Sequence, residues 1–273
     1  MRESEEIYRV CFVVPAAKEK INYFHEDLVT SDRLQKASPK ISVDFVFMEG
    51  RYLNYYEKKW SVFSKIRNKL GYPDDAGLNR QLLKAIRHTS YDLVLVLKGN
   101  EIRPATLKFI KNNSPKTKLK NVSLDDMFLQ HNRSSYYLRS LPLYDEVITT
   151  KGMNVKEREL ESLGAKKVTF HWQAFSLKLH QSMPEEGSFL SDLLFIGSAE
   201  QDRFEMMREL ALQGFKVDVY GAGWDRAAFQ VDKPKSLTLN AETKTGVEYA
   251  NLISRAKINL CFLRKVNRDT HTS

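Results

Sequence analysis

The residues best placed to do chemistry stand between Ser191 and Asp225, in the stretch SDLLFIGSAEQDRFEMMRELALQGFKVDVYGAGWD. Gly197-Ser198 closes an apolar run, Arg203 follows, and Gly221-Ala222-Gly223-Trp224 makes a second glycine turn. A glycine turn at the end of a strand lets the backbone approach a ligand closely. A helix starting there adds unpaired N–H groups and a partial positive charge, so the chemistry expected is phosphate binding. Arg203 offers a guanidinium that can grip a diphosphate with two bonds while offsetting Glu200 and Asp202. The alternative is that Gly197 only turns the chain and that the two acids already satisfy the helix dipole. Gly221 and Gly223 keep the second turn open, and Trp224 either covers a base or fills the core.

These residues need a strand, a helix and a second strand to hold them. Leu193–Ile196 is apolar without alternation, as a strand covered on both faces should be, and Gly197 breaks it. Ser198 and Gln201 have the spacing of a capping box, and Phe204, Met207, Leu210 and Ala211 recur at helical intervals until Gly214. Phe215–Tyr220 is the next strand, and so short a connection implies a parallel neighbour. Thr245 and Glu248 start a helix through Arg255, and Lys257–Leu263 is a further strand. About four strands are expected here.

The first half repeats the alternation. Strands are expected at Arg9–Val14, Ile41–Met48, Tyr91–Leu97, Leu119–Ser123, Glu146–Thr150 and Lys167–Phe170, with helices at Tyr52–Leu70, Leu78–His88 and from Pro104 to Ile110. A helix starting at Asn154 and Glu157 ends at Gly164. The polar segment His180–Ser188 marks the boundary between a domain over residues 1–183 and another over 189–273. The fold class is α/β: two Rossmann-like, doubly wound domains.

Lys98, Asp125 and Asp126 lie near strand ends in the first half, where a carboxylate could orient an acceptor hydroxyl or act as base. For the SLDD tetrapeptide a turn or cap is the competing and favoured role. His171 reads as a core or interdomain histidine rather than a base.

The 273 residues carry 43 basic and 34 acidic side chains, a formal charge of +9, which favours anionic partners. The densest basic loop, Lys111–Lys120, lacks interleaved aromatics, so no nucleic-acid partner is expected. A basic surface resting on anionic lipid headgroups stays open. The opening MRESEE is of mixed charge and Pro15 interrupts the apolar run after Val10, so neither signal peptide nor membrane span is expected. That places the chain in the cytoplasm, at most peripheral to the inner face of a membrane. Cys11 and Cys261, both in expected strands, read as buried thiols. Neither half carries G-x-G-x-x-G after its first strand, and H-E-x-x-H and G-x-S-x-G are absent, which argues against dinucleotide enzymes, metalloproteases and serine hydrolases.

An ordered set of short motifs runs through the chain. It comprises Tyr91-Asp92 with Lys98-Gly99, Tyr144-Asp145 with Thr149-Thr150-Lys151, Asn154-Val155, Gly164-Ala165, Phe195-Ile196-Gly197-Ser198 with Arg203, Val219-Tyr220-Gly221, Gly223-Trp224, Phe262-Leu263-Arg264-Lys265 and Asn267–Thr272. The set resembles the CgeB-type, spore-maturation-like glycosyltransferases, which are similar to the retaining GT-B enzymes. The resemblance implies a GT-B-like pair of facing domains, the first taking an acceptor and the second holding a nucleotide-diphosphate sugar. It implies transfer of a sugar, of the hexosyltransferase kind, to a glycan, lipid or protein, with no metal and no cofactor beyond the donor. The diphosphate would then be met by Gly197, Ser198, Arg203, Arg264 and Lys265, with Gly221, Gly223 and Trp224 around the second turn and Asp125 or Asp126 as catalytic carboxylate. Relatives of this type continue past Asn267–Thr272 with a glutamate-bearing segment, so the second domain is expected to be incomplete and transfer weak. A non-catalytic nucleotide- or sugar-binding module is the competing reading, since a fold does not carry chemistry by itself.

Overall fold

A computed structural model describes residues 7–16, 34, 36–48, 74, 77–173, 189–263 and 268. The expected helix Tyr52–Leu70, the segment His180–Ser188, the pair Arg264 and Lys265, and the Asn267–Thr272 motif apart from Arg268 lie outside the described residues. The chain forms two compact units, Met1–Gln173 and Ala174–Thr272.

The first unit is a six-stranded parallel sheet of β1 (Ile7–Val14), β2 (Lys40–Phe47), β3 (Leu93–Leu97), β4 (Lys118–Ser123), β5 (Glu146–Thr149) and β6 (Val168–Phe170). The spatial order is β2-β1-β3-β4-β5-β6, so the winding direction reverses between β1 and β3, the mark of a doubly wound sheet. Helices α1 (Leu78–His88) and α2 (Pro104–Asn113) pack on each other. Leu78, Leu82, Ile86, Leu107 and Ile110 enter a core with Cys11, Val13, Val94, Val96 and Leu119. Burial pushes the Cys11 thiol up to about 12, with Asp44 adding to the shift, so this sulfur is inert. Buried Asn79 locks α1 to α2: its Oδ1 accepts from the Arg103 N–H and the Thr106 hydroxyl, and its Nδ2 donates to Asp74 and to the Glu101 carbonyl, all at 2.9 Å.

Between β4 and β5 lies α3 (Ser135–Ser140), capped by Ser134, whose side chain accepts from the Tyr137 N–H. The single helix expected from Asn154 to Gly164 is instead two short ones, α4 (Gly152–Lys156) and α5 (Glu159–Ser162). Arg158 separates them in the left-handed conformation. Asn154 is not a cap: it is fully buried, accepts from the Thr149 hydroxyl at 3.1 Å, and donates to Asp126 and Glu159 at 2.9 Å each. Its two-sided amide bridges two buried carboxylates, and that geometry overrides a regular helix.

The second unit is a four-stranded parallel sheet of β7 (Ser191–Ile196), β8 (Val217–Tyr220), β9 (Leu237–Asn240) and β10 (Ala256–Leu260), ordered β10-β7-β8-β9. Strand β9 and the turn of helix α7 (Ala227–Gln230) ahead of it give no clear signal in the sequence. Helix α6 (Gln201–Leu212) buries Phe204, Met207 and Ala211, with Leu210 packed beside them, as the spacing predicts. The capping box is not formed: the N-cap is Glu200, two residues past Ser198, and Gln201 bonds Glu205 instead. Helix α8 (Gly246–Ser254) starts after Thr245, which makes no side-chain cap. Cys261 falls just past β10 and is exposed, contrary to the expected buried thiol, because β10 ends at Leu260.

The turns after β7 and β8 touch through their backbones. Gly221 has φ 140°, and a Cβ on it would stand 2.2 Å from the Gly197 carbonyl oxygen. We expect Gly221→Ala to cost at least about 3 kcal/mol, strain plus clash, in urea denaturation. Gly214→Ala, also at positive φ but with nothing within 4 Å of its Cβ, should cost about 1 kcal/mol. Equal losses would mean that the contact constrains nothing. In the first unit Glu146 takes Lys120 at 2.6 Å, Lys167 at 2.9 Å and the Thr169 hydroxyl at 3.0 Å. The Lys120 and then the Lys167 hydrogen bonds lower its carboxyl from 4.5 to about 2. A lowered carboxyl contributes stability above its unfolded value that is lost as pH falls. Stability of up to about 3 kcal/mol should therefore drain away between pH 4.5 and 2, and the Glu146→Gln variant should lack that part of the acid slope.

Candidate active site

The order of the second sheet reverses between β10 and β7, and open parallel sheets bind ligands beyond the carboxyl ends of strands at such a reversal. A cavity of about 330 Å³ lies at that place. Gly197 and Ser198 from the β7 turn line it together with Arg203 of α6, Tyr249 of α8, Asn259 of β10 and Phe262 beyond it. The cavity thus joins the glycine turn to the two elements that flank the reversal.

The geometry of the turn assigns its residues roles that the sequence leaves open. The Gly197 N–H is spent on the Tyr220 carbonyl at 2.8 Å, so it does not reach a phosphate as expected. Gly197 is glycine for space: a Cβ would lie 2.6 Å from Cζ of Phe195. Ser198 is exposed at the cavity. Trp224 is fully buried, and its indole N–H donates to the Gly197 carbonyl at 2.8 Å. It cannot cover a base, which corrects that half of the expectation: the ring packs edge-on to Phe195 and against Phe229. Gly221 admits the Gly197 carbonyl, and Gly223 has φ 88° with its α-carbon facing Ala199 and Arg226. Both shape the second turn from within.

Arg203 lines the cavity but is not an open clamp. Its side chain is 6% exposed, its Nη1 donates to the Ser198 carbonyl at 2.9 Å, and its Nε stands 3.6 Å from the Glu200 carboxylate. The guanidinium lies 5.3 Å from the centre of the Phe195 ring and 6.0 Å from that of Phe262. Set against these two rings it fixes the position of Ser198 and neutralises one of the two acids at the start of α6. Arg264 and Lys265 lie outside the described residues.

At the carboxyl edge of the first sheet, Lys98 follows β3 in the left-handed conformation, φ 59°, and its ammonium meets Asp125 at 2.9 Å. The Asp125 side chain is about a third exposed, so a hydroxyl can reach it. Asp126 is different. It is 1% exposed, and its Oδ1 accepts from the Phe128 N–H at 3.1 Å and from Asn154. Its place is in the turn, and the expectation of a catalytic role for it is withdrawn, because a carboxylate this deeply buried and held by the Phe128 N–H and Asn154 is closed to a substrate. His171 follows β6 and is exposed, not a core histidine. Asn154, which carries this turn, is the residue that sequence reasoning misread; its polarity amid apolar neighbours is the only local sign of it.

Among the described residues no three His, Cys, Asp or Glu side chains cluster so as to hold a metal ion, and no helix is long and apolar enough to cross a membrane. No protein-family model and no curated protein matches the sequence. The solved structures that resemble it include two neighbours at low identity. A chain of the GtfA/B complex is 13% identical, with 68% of this chain and 40% of that chain covered and a TM-score of 0.44. Anabaena Alr3699/HepE in complex with UDP is 11% identical, with 93% of this chain and 68% of that chain covered and the same TM-score of 0.44. The chain therefore spans two fifths of the length of the GtfA/B chain it matches, and likenesses at these scores carry no weight on fold or function.

Proposed function

We propose that this chain is a metal-independent, retaining glycosyltransferase of the CgeB-like, GT-B kind that takes a sugar from a nucleotide-diphosphate donor. The observation that carries the reading is the 330 Å³ cavity at the reversal between β7 and β10, with the Ser198 turn and the start of α6 on its wall. The diphosphate is assigned to that turn. Ser198 and the first N–H groups of α6 meet it, and Arg203 holds the turn in shape. In the transfer an acceptor oxygen bonds the anomeric carbon on the same face from which the diphosphate departs, the bond from that carbon to the diphosphate breaks, and the diphosphate leaves with its electron pair, so the configuration is kept. The acceptor proton passes to a base, and Asp125, oriented by Lys98, is the carboxylate proposed for it. The net charge of +9 supports an anionic donor and work beside anionic lipid headgroups at a membrane surface.

Melting curves in EDTA with UDP, GDP, ADP and TDP test the donor site. One of them should stabilise the protein, by about 2.7 kcal/mol at a hundredfold excess over Kd. No shift with any of the four would overturn the assignment. Arg203→Lys, which keeps the charge but loses the Nη1 bond to the Ser198 carbonyl, should weaken binding of that nucleotide, whereas Lys116→Ala in the dispersed basic loop should leave it unchanged. Release of nucleoside diphosphate from the matching nucleotide sugar tests the chemistry. Asp125→Asn should slow it by about a hundredfold or more while preserving the melting shift. Nucleotide stabilisation with no release from any donor sugar would instead identify a binding module.

A further inference from the structure

The amino edge of the second sheet, at the opposite end of the strands from the cavity, holds four large apolar side chains in water. Phe189, Leu190, Leu212 and Phe215 are exposed by between 40% for Leu190 and 61% for Phe189. Hydrogen bonds tie their segments together. The Leu190 N–H donates to the Arg255 carbonyl at 2.8 Å just ahead of β10, and the Asp192 N–H donates to the Lys216 carbonyl at 3.0 Å. The Phe215 N–H donates to the Leu210 carbonyl at 3.4 Å, and the Ser236 hydroxyl, just ahead of β9, donates to the Ala211 carbonyl at 2.7 Å. The four side chains therefore share one end of the unit, where α6 stops and the strands begin.

A single exposed apolar residue is ordinary, but several at one edge mark a surface that binds a protein or a membrane. The surrounding charges choose between the two. The basic side chains at this edge are Arg208, Lys216, Lys233, Lys235, Arg255 and Lys257, against the acids Asp192, Glu209 and Asp232, an excess of positive charge. Asp192 is taken by Lys257 at 2.6 Å, whereas Lys216, Lys235 and Arg255 have no carboxylate partner among the described residues. Apolar side chains beside unpaired cations fit an anionic bilayer, where the first enter the headgroup boundary and the second, on long stems, meet phosphates. We infer that this edge of the second unit docks on an anionic lipid bilayer, with Phe189, Leu212 and Phe215 entering it and Lys216 and Lys235 on its headgroups. The docking rests on the reading of a chain that works beside anionic lipid, and not on the donor cavity. Strand β7 is six residues long, so the cavity at its far end is held roughly 20 Å from the bilayer, open to a donor from solution.

Co-sedimentation with vesicles tests the surface. Phosphatidylcholine vesicles with phosphatidylglycerol at about a third of the lipid should pellet the unaltered chain, and phosphatidylcholine alone should not. Lys216→Gln combined with Lys235→Gln should weaken this binding about thirtyfold, and Phe189→Ser combined with Phe215→Ser at least about tenfold. Lys116→Gln combined with Lys118→Gln removes the same charge from the first unit and should weaken it by less than about threefold. No pelleting, equal losses from the two lysine pairs, or full binding by the phenylalanine variant would overturn the surface. Nucleotide stabilisation is measured without lipid, so it reports on the donor site whether or not vesicles bind, and the two readings fail separately. A dimer in gel filtration that Phe215→Ser disperses, together with no vesicle binding, would give the edge to a second copy of the chain and overturn the docking.

Discussion

The second unit depends on two backbones that approach each other with no side chain between them. Gly221 faces the Gly197 carbonyl so closely that even a methyl group is excluded. Three polar links converge on the same few residues: Trp224 donates to the Gly197 carbonyl, the Gly197 N–H donates to Tyr220, and the Ala199 N–H donates to Ala222. Such bonds are worth about 1 kcal/mol apiece in isolation, but inside a core they also forbid alternatives, since each group left unpaired there costs more than the bond gives. The turn is therefore rigid from below, and Ser198, its exposed residue, is presented on a fixed platform.

Aromatic packing extends that platform to the other side of the cavity. Phe195 sits under Gly197, meets Trp224 edge-on on one side and Phe262 edge-on on the other, and carries the Arg203 guanidinium over its face. Arg203 thereby keeps its charge in a nearly buried place by combining a carbonyl, a carboxylate at longer range and two ring faces. A lysine has a single point of charge and could not satisfy all of these at once.

The first unit is held by buried polar nodes. Asn79 spends three of its side-chain hydrogen bonds joining α1 to the approach and start of α2 and the fourth on Asp74, and Asn154 joins the Asp126 turn to α5 through Glu159. The effect at the carboxyl edge is a division of labour between adjacent aspartates. Asp126 anchors the turn from inside, which leaves Asp125 at the surface beside Lys98.

Periodicity alone determined most of the elements. The apolar run through Phe195, the helical spacing of Phe204, Met207 and Ala211, the stop at Gly214 and the buried valines of β3 each follow from which side chains must leave water, a local property of the chain. The glycines at 197 and 221 likewise announced tight turns at strand ends. What the sequence could not decide is which polar residues face inward. Trp224, Arg203 and Asp126 have chemistry that suits a ligand site and an inward structural bond equally, while Asn154 has the chemistry of a cap. Their partners, the carbonyls of Gly197 and Ser198 and the carboxylate of Glu159, are distant in sequence or set by a turn, so only the folded chain brings donor to acceptor. Hydrophobic burial is written residue by residue; the pairing of buried polar groups depends on three-dimensional proximity, and that was settled by the tertiary structure.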